Sequence, residues 1–584
     1  MVHKPLNDNI GQATVNALFE LYKRGEFHEL AERIESLLPA APDILVLHSL
    51  LGAARSELGD YEGAIDSYQA ALHIKPDFEK LHNSLGIAQL RLQRYDDAMI
   101  SFRSAIDNNP QFAPAWFNLG IIYEHRRQWH LAADHYEEAI QLDPQHVEAL
   151  TASGTAAWEL GAYDRVAESY RQALAIKSDH IPAWRNLLNF LEQSNQAEAL
   201  RSTLGKARHA IGEHVVVRLY EGHLADMDGD HARARSMLEA LDVDTSDAAS
   251  THDERRRVAR LTRLCDRLHD VEATMHYATL ANRLSQTLSE QMGIHKDAYL
   301  EYLDYRQHYF TPENVAGWST APSRNQAAKK PAPVFIIGFP RSGTTLLDTI
   351  LRSHPAIEVA EEVNAVPGVI DELAILSHDH LNYLARLPED DLERFRALYF
   401  DILLQQVQHS DSNARLIDRF ANNIIYAGEI HRLFPDAKFI VLLRHPADCV
   451  LSCFMQLFYE SPMNANFYTL EDAANLYNRV FTLWHQYEQL LDLDVLYVKY
   501  EDLINDVEQV GRSILDFIDM PWHPNLLHHE KTAQDRTVIR TASYNQVTRP
   551  LYTDARNRWM RYQKYMEPVM PVLGAWIKRY GYAT

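Results

Sequence analysis

Pro333-Val334-Phe335-Ile336-Ile337-Gly338-Phe339-Pro340-Arg341-Ser342-Gly343-Thr344-Thr345-Leu346-Leu347 decides how the second half of this chain folds. Four apolar residues of β-prone type run into a Gly-Phe-Pro-Arg-Ser-Gly turn, and Thr344 to Leu351 follows with the pattern of an amphipathic helix start. The stretch predicts a strand, a loop of phosphate size and a helix. In such a loop the glycines allow positive φ and close backbone approach, and the open N–H groups of the helix N-terminus point at an anion.

The spacing from Gly338 to Gly343 is that of a P-loop, but Thr344 stands where an ATP-using loop carries lysine. Arg341 supplies a cation from inside the loop instead. That arginine and the hydroxyls beside it set the stretch apart from an ordinary tight β–α turn. A nucleoside-triphosphate kinase or ATPase would need the lysine and a strand-terminal aspartate for magnesium, and neither is evident.

A length of 584 residues calls for at least two domains, and 46 % apolar residues is ample for large cores. No run of eighteen apolar residues occurs and the first residues lack a signal-peptide core, so a soluble cytoplasmic protein without membrane attachment is expected. Cys265, Cys449 and Cys453 cannot form a disulfide framework, and no Cys/His spacing resembles a zinc site, so no metal is expected. A net charge of −23 argues against nucleic acid as partner. Lys531 to Thr584 runs the other way, with ten Lys/Arg against three Asp/Glu, a net +7, and is a candidate anion-binding segment.

Prolines at Pro42, Pro76, Pro110 and Pro144 repeat with a period of 34. Gly52, Gly86, Gly120 and Gly154 share a register where two helices pack closely, and Ala64, Ala98 and Ala132 recur with Tyr68, Phe102 and Tyr136 and then Ala71, Ala105 and Ala139. These units resemble tetratricopeptide repeats, helix pairs that bury their apolar faces by stacking and leave a concave groove. The array is read as residues 1–178, degenerate helical repeats as 179–308, a linker as 309–330 and a second domain as 331–584. The groove suits a protein or peptide partner; a scaffold or homodimerisation surface is the alternative. In the second domain Val334–Ile337, Leu416–Ile417, Phe439–Leu443 and Val495–Val498 read as apolar strands alternating with helices, which predicts a parallel sheet covered on both faces. The fold class is therefore an α-solenoid followed by a P-loop-like α/β domain.

Further motifs follow the loop in order: His354-Pro355, Glu361-Glu362, Leu433-Phe434-Pro435-Asp436-Ala437-Lys438-Phe439, Leu443-Arg444-His445-Pro446 with Ser452, Val498-Lys499-Tyr500-Glu501-Asp502-Leu503, Leu527-His528-His529-Glu530, Ser543-Tyr544-Asn545-Gln546-Val547-Thr548-Arg549-Pro550 and Arg558-Trp559. Together they resemble tyrosylprotein sulfotransferases and bacterial sulfotransferases that carry tetratricopeptide repeats. The resemblance implies 3′-phosphoadenosine-5′-phosphosulfate as co-substrate. It implies that Ser342, Gly343, Thr344 and Thr345 cradle the 5′-phosphosulfate, and that Arg444, Ser452 and Arg558 hold the 3′-phosphate. Tyr500 and the run Ser543–Tyr552, Arg549 included, match positions that also contact the nucleotide. Glu362 matches the catalytic base, with Glu361 beside it as the fallback. Arg341 matches the residue that neutralises the sulfuryl oxygens, and Arg419 with Ser543 those that stabilise the leaving oxygen.

Two departures bear on this reading. Asp418-Arg419-Phe420 has arginine where the family usually has lysine, which keeps the charge but removes a proton donor. Val363-Asn364-Ala365-Val366-Pro367-Gly368 lacks the arginines that follow the base in animal tyrosine-sulfating enzymes and contact acidic residues around the acceptor. A tyrosine on a peptide, captured by the repeats, is the first expectation. A small phenol, glycan or lipid acceptor stays open, as does a non-catalytic repeat scaffold.

Overall fold

The computed structural model describes residues 11–245, 247–316, 318, 332–405, 414–535 and 556–583. The chain divides into two units, Met1–Phe190 with His209–Ile211, and Leu191–Arg208 with Gly212–Thr584.

In the first unit the 34-residue period is a stack of antiparallel helix pairs: Gln12–Lys23 with Phe27–Leu37, Leu45–Glu57 with Tyr61–Ile74, Glu79–Arg91 with Tyr95–Asn108, Ala113–His125 with Trp129–Leu142, and Val147–Glu159 with Tyr163–Ile176. The repeating glycines are where the first helix of a pair meets an aromatic ring of the second. A Cβ on Gly86 would lie 2.5 Å from the Phe102 ring, and one on Gly120 2.4 Å from the Tyr136 ring. The repeating prolines cap the next helix through their carbonyls: Pro110 O accepts from Trp116 Nε1 at 3.0 Å, and Pro42 O and Pro76 O bond the His48 and His82 rings at 2.7 Å. Tyr136 is fully buried, so it cannot yield cheaply to a larger neighbour. Gly120→Ala is therefore expected to destabilise the first unit by roughly 1–3 kcal/mol through overpacking. Thermal unfolding would show this beside Gly205→Ala as control, since a Cβ there meets nothing within 4 Å.

The second unit takes most of the helix Ala197–Ile211 and continues with Val215–Met227, His231–Glu239, Ala248–Arg267, Val271–Gln291 and Asp297–Tyr309. Its sheet has five parallel strands, β1 (Val334–Gly338), β2 (Ile357–Glu361), β3 (Arg415–Arg419), β4 (Lys438–Leu443) and β5 (Asp494–Lys499), in the order β2-β3-β1-β4-β5. Phe335, Ile337, Phe439 and Val441 face one core and Val334, Ile336, Ile440 and Leu442 the other, which is why these strands read as unbroken apolar runs. β2 is an addition to the four expected strands: Glu358 and Glu361 interrupt its apolar pattern, and its pairing to β3 from Ile357↔Arg415 to Glu361↔Arg419 makes it a strand. Met275, Ala278, Tyr299 and Leu303 of the preceding helices, and Phe310 just after the last of them, belong to the first of these cores. Trp318, in the stretch read as linker, is 3 % exposed and packs edge-on to Phe310.

β1 lies between β3 and β4, so the chain fills one side of β1 and then the other. The crevice at the carboxyl ends of the strands opens at this reversal, where α/β sheets place their ligands. The Gly338–Gly343 loop, Glu362, Arg419 and Arg444 all stand at that edge.

Candidate active site

The loop after β1 is shaped by close contacts. A Cβ on Gly338 would come within 2.6 Å of Leu442 O, and one on Gly343, whose φ is +104°, within 2.5 Å of the Tyr500 ring. Arg341 also adopts positive φ, 69°, a conformation that costs a non-glycine residue about 1–3 kcal/mol and recurs at functional sites. The helix Thr344–Arg352 starts directly from Gly343, so its first N–H groups open into the loop. Ser342 is 1 % exposed and its Oγ has no hydrogen-bond partner among the described residues. A buried hydroxyl left in this state at a helix start fits an anion as its missing partner.

Two further elements close on the loop. Arg444 follows β4, and its Nη1 donates to the Arg341 carbonyl at 3.1 Å while its guanidinium lies 5.0 Å over the Tyr500 ring. Arg341 Nε donates to Ser452 Oγ at 3.1 Å, so the loop arginine is turned toward the helix Pro446–Phe454. Burial works against the charge of Arg444, but Asp448 foremost outweighs it and holds the guanidinium above its ordinary value. Arg341, Ser342, Gly343, Thr344, Thr345, Arg444, Ser452 and Tyr500, named from sequence, thus share one place. Asp448 accepts the backbone N–H groups of Asn557 at 2.9 Å and Trp559 at 2.8 Å, and the Trp559 ring stacks on His445, which brings Arg558 to the same helix. There Arg558 Nη2 meets Met455 Sδ at 3.2 Å and pairs with Asp266 at 3.0 Å, an acid that sequence reasoning did not single out. Ser543 and Arg549 lie outside the described residues.

The second cluster stands on β2 and β3. Arg419, 1 % exposed, pairs with Glu361 at 2.6 Å, Glu362 at 2.7 Å and Asp348 at 3.3 Å, and Arg352 joins Asp348 at 2.9 Å. Burial opposes the charge of Arg419, and the three carboxylates, Glu361 first, hold it above its ordinary value. Glu362 is fixed by its backbone: its N–H donates to Arg419 O at 2.9 Å, extending the β2–β3 ladder, and its φ of +51° turns the side chain out of the strand. The side chain is 43 % exposed, yet the protein crowding its carboxyl lifts its pKa above the usual carboxylate range; Arg419 opposes this and Glu361 adds to it. An open carboxylate of raised basicity, held by a buried cation, can take a proton from a hydroxyl. Asp348 and Glu361 as partners of Arg419 were not foreseen; the only sequence signal was the four-residue spacing of Asp348 and Arg352 on one helix face.

No three His, Cys, Asp or Glu side chains among the described residues are grouped to hold a metal ion, and no helix among them is long and apolar enough to cross a membrane. Residues 333–524 match the model of the sulfotransferase family. Residues 52–93 match a TPR repeat model, and 83–146 and 117–181 a tetratricopeptide repeat model. An uncharacterized protein of Aquifex aeolicus (strain VF5) is 29 % identical over 297 residues, 47 % of this chain and 37 % of that protein. Protein-tyrosine sulfotransferase A of Caenorhabditis elegans is 27 % identical over 232 residues, 39 % of this chain and 60 % of that protein. The chain thus spans about a third to three fifths of the length of these curated relatives. Among solved structures, the crystal structure of MamA is similar with a TM-score of 0.26 and 21 % identity, over 29 % of this chain and 96 % of that one.

Proposed function

Because the chain joins tetratricopeptide repeats to a sulfotransferase-family domain, we propose that it moves a sulfuryl group from 3′-phosphoadenosine-5′-phosphosulfate to the hydroxyl of a protein or peptide tyrosine. The observation that carries this reading is the strand–loop–helix with Arg341, Arg444, Ser452 and Tyr500 gathered around it and the Ser342 hydroxyl buried without a partner among the described residues. In this reading Ser342 and the N–H groups at Thr344 and Thr345 hold the 5′-phosphosulfate, and Arg444, Ser452 and Arg558 hold the 3′-phosphate. Glu362 takes the acceptor's proton as its oxygen attacks sulfur, and the S–O bond to the 5′-phosphate breaks to leave adenosine 3′,5′-bisphosphate. Arg341 neutralises charge on the transferred group, and Arg419 with Ser543 that on the leaving oxygen; as in phosphoryl transfer, the protein contributes positioning and electrostatics.

The tyrosine acceptor rests on the names of the relatives, and the repeat array would supply the surface that captures the polypeptide. Three buried thiols, Cys265, Cys449 and Cys453, none in a disulfide, suit a reducing compartment such as the cytoplasm. Titration calorimetry tests the donor. Adenosine 3′,5′-bisphosphate should bind without metal, and Arg444→Ala should weaken it about tenfold or more, since a hydrogen bond to a charged group is worth roughly 1.5–3 kcal/mol. Equal affinity for adenosine 5′-phosphosulfate, or tighter binding of ATP-magnesium, would rule the reading out. Mass spectrometry of lysate proteins supplied with labelled donor tests the acceptor.

A further inference from the structure

Arg558 lies in the C-terminal segment, yet its counter-ion comes from ahead of the sheet. Asp266, in the last turn of the helix Ala248–Arg267, accepts from Arg558 Nε at 3.2 Å and sits 3.0 Å from Nη2. The same carboxylate accepts from Arg561 Nη2 at 3.1 Å and from the Tyr562 hydroxyl at 2.6 Å. Arg558 Nη2 also touches Met455, three residues beyond Ser452 on the same helical segment. With Nε and Nη2 engaged, the Nη1 end of Arg558 keeps its two N–H donors without a partner among the described residues. Asp266 does not cancel the two cations it holds: Arg558 and Arg561 carry two positive charges against its one, and Arg558 brings its share to Met455.

From this geometry we propose that Asp266 is a positioning residue for the nucleotide's 3′-phosphate. It grips one edge of the Arg558 guanidinium and presents the other. A free arginine side chain gives up rotamer entropy when it is fixed; a carboxylate that has already fixed it spares the ligand that cost. The inference rests on the sulfotransferase reading, in which Arg558 serves the 3′-phosphate. It means that the helices ahead of the family match complete the nucleotide site rather than merely precede it.

The test uses the full-length chain and two probes, adenosine 3′,5′-bisphosphate and adenosine 5′-monophosphate, whose affinity ratio reads the 3′-phosphate alone. Arg558→Ala should lower that ratio about tenfold or more, which checks the underlying reading. Asp266→Asn should lower it about fivefold, part of that contact's worth, and leave monophosphate binding unchanged. Should Asp266→Asn fail to fold, Asp266→Glu carries the test: it keeps the charge, displaces the carboxylate by a methylene, and should lower the ratio in the same direction. If Arg558→Ala lowers the ratio and the Asp266 variants do not, Asp266 only docks the helices and the inference is overturned. A ratio raised by Asp266→Asn overturns it too, because the acid would then compete with the phosphate. If Arg558→Ala itself leaves the ratio unchanged, the assignment of Arg558 fails first, and the inference with it.

Discussion

Glu362→Gln is expected to lower turnover by about 10²–10⁴-fold, the usual worth of a positioned general base, while affinity for adenosine 3′,5′-bisphosphate stays within about twofold of the unaltered protein. Glutamine keeps the size of the side chain and an oxygen for Arg419, which donates to Glu362 at 2.7 Å, but it cannot accept a proton at neutral pH. Its direction is set by the backbone bond to Arg419 O and the positive φ, neither of which the substitution removes. The residues read as holding the nucleotide, Arg444 and Ser452, are tied to Arg341 instead. The competing base is Glu361, which also pairs with Arg419. Exposure separates them: Glu362 is 43 % open and Glu361 10 %, which favours the former as the base in the proposed reaction. A dead Glu361→Gln beside an active Glu362→Gln would exchange the roles. The pH profile adds a second readout. A base must be deprotonated to act, and crowding raises the pKa of Glu362, so kcat/KM should rise with pH through a limb above the ordinary carboxylate range. Glu362→Gln should abolish that limb.

The strand–loop–helix was legible because its cues are local: four apolar residues, two glycines at loop spacing and an amphipathic helix start within fifteen residues. The meeting of Arg341, Arg444 and Ser452 was legible from the order of motifs, which encodes the ends of adjacent strands. The charge network was not. Arg419 and Asp348 are 71 residues apart and Arg558 and Asp266 are 292 apart, and each of these acids alone reads as a solvated helix residue. Only tertiary placement makes them partners. β2 was hidden for a related reason: Glu358 and Glu361 stand three apart, on opposite faces of a five-residue strand, so its pattern is neither continuous nor cleanly alternating.

Arg306→Met is expected to cost about 3–5 kcal/mol of stability, because it breaks a buried ion pair from one side only. Arg306 belongs to the helix Asp297–Tyr309 and is fully buried, as is its partner Glu429 of the helix Ala427–Leu433. Its guanidinium also lies 4.4 Å over the Tyr302 ring and 4.6 Å over that of Tyr426, a cage that methionine fills but cannot satisfy. Glu429 would be left with the His380 ring at 3.8 Å and, among the described residues, no arginine in reach of its buried charge. Removing both charges avoids this. Arg306→Met with Glu429→Leu should recover most of the loss, and the double-mutant cycle isolates the pair from the packing. The sign of the pH dependence follows from Glu429. Burial tends to raise its pKa, but Arg306 outweighs it and holds the carboxyl below its ordinary value. The pair's contribution is therefore fully present above the ordinary carboxylate pKa and is lost as pH falls through the lower folded value. Urea unfolding at neutral and acid pH should show the unaltered protein and Arg306→Met converging as pH falls. The same region holds Phe310, whose ring occupies the space a Cβ on Gly428 would need, and Gln486, which donates to Gln307 O at 2.8 Å and Phe310 O at 2.6 Å. These contacts bind the helix to the sheet's own core, so the unfolding of Arg306→Met should stay a single transition for this unit. An early, separate loss of the helix Asp297–Tyr309, read by hydrogen exchange, would show instead that the ion pair was its main tether.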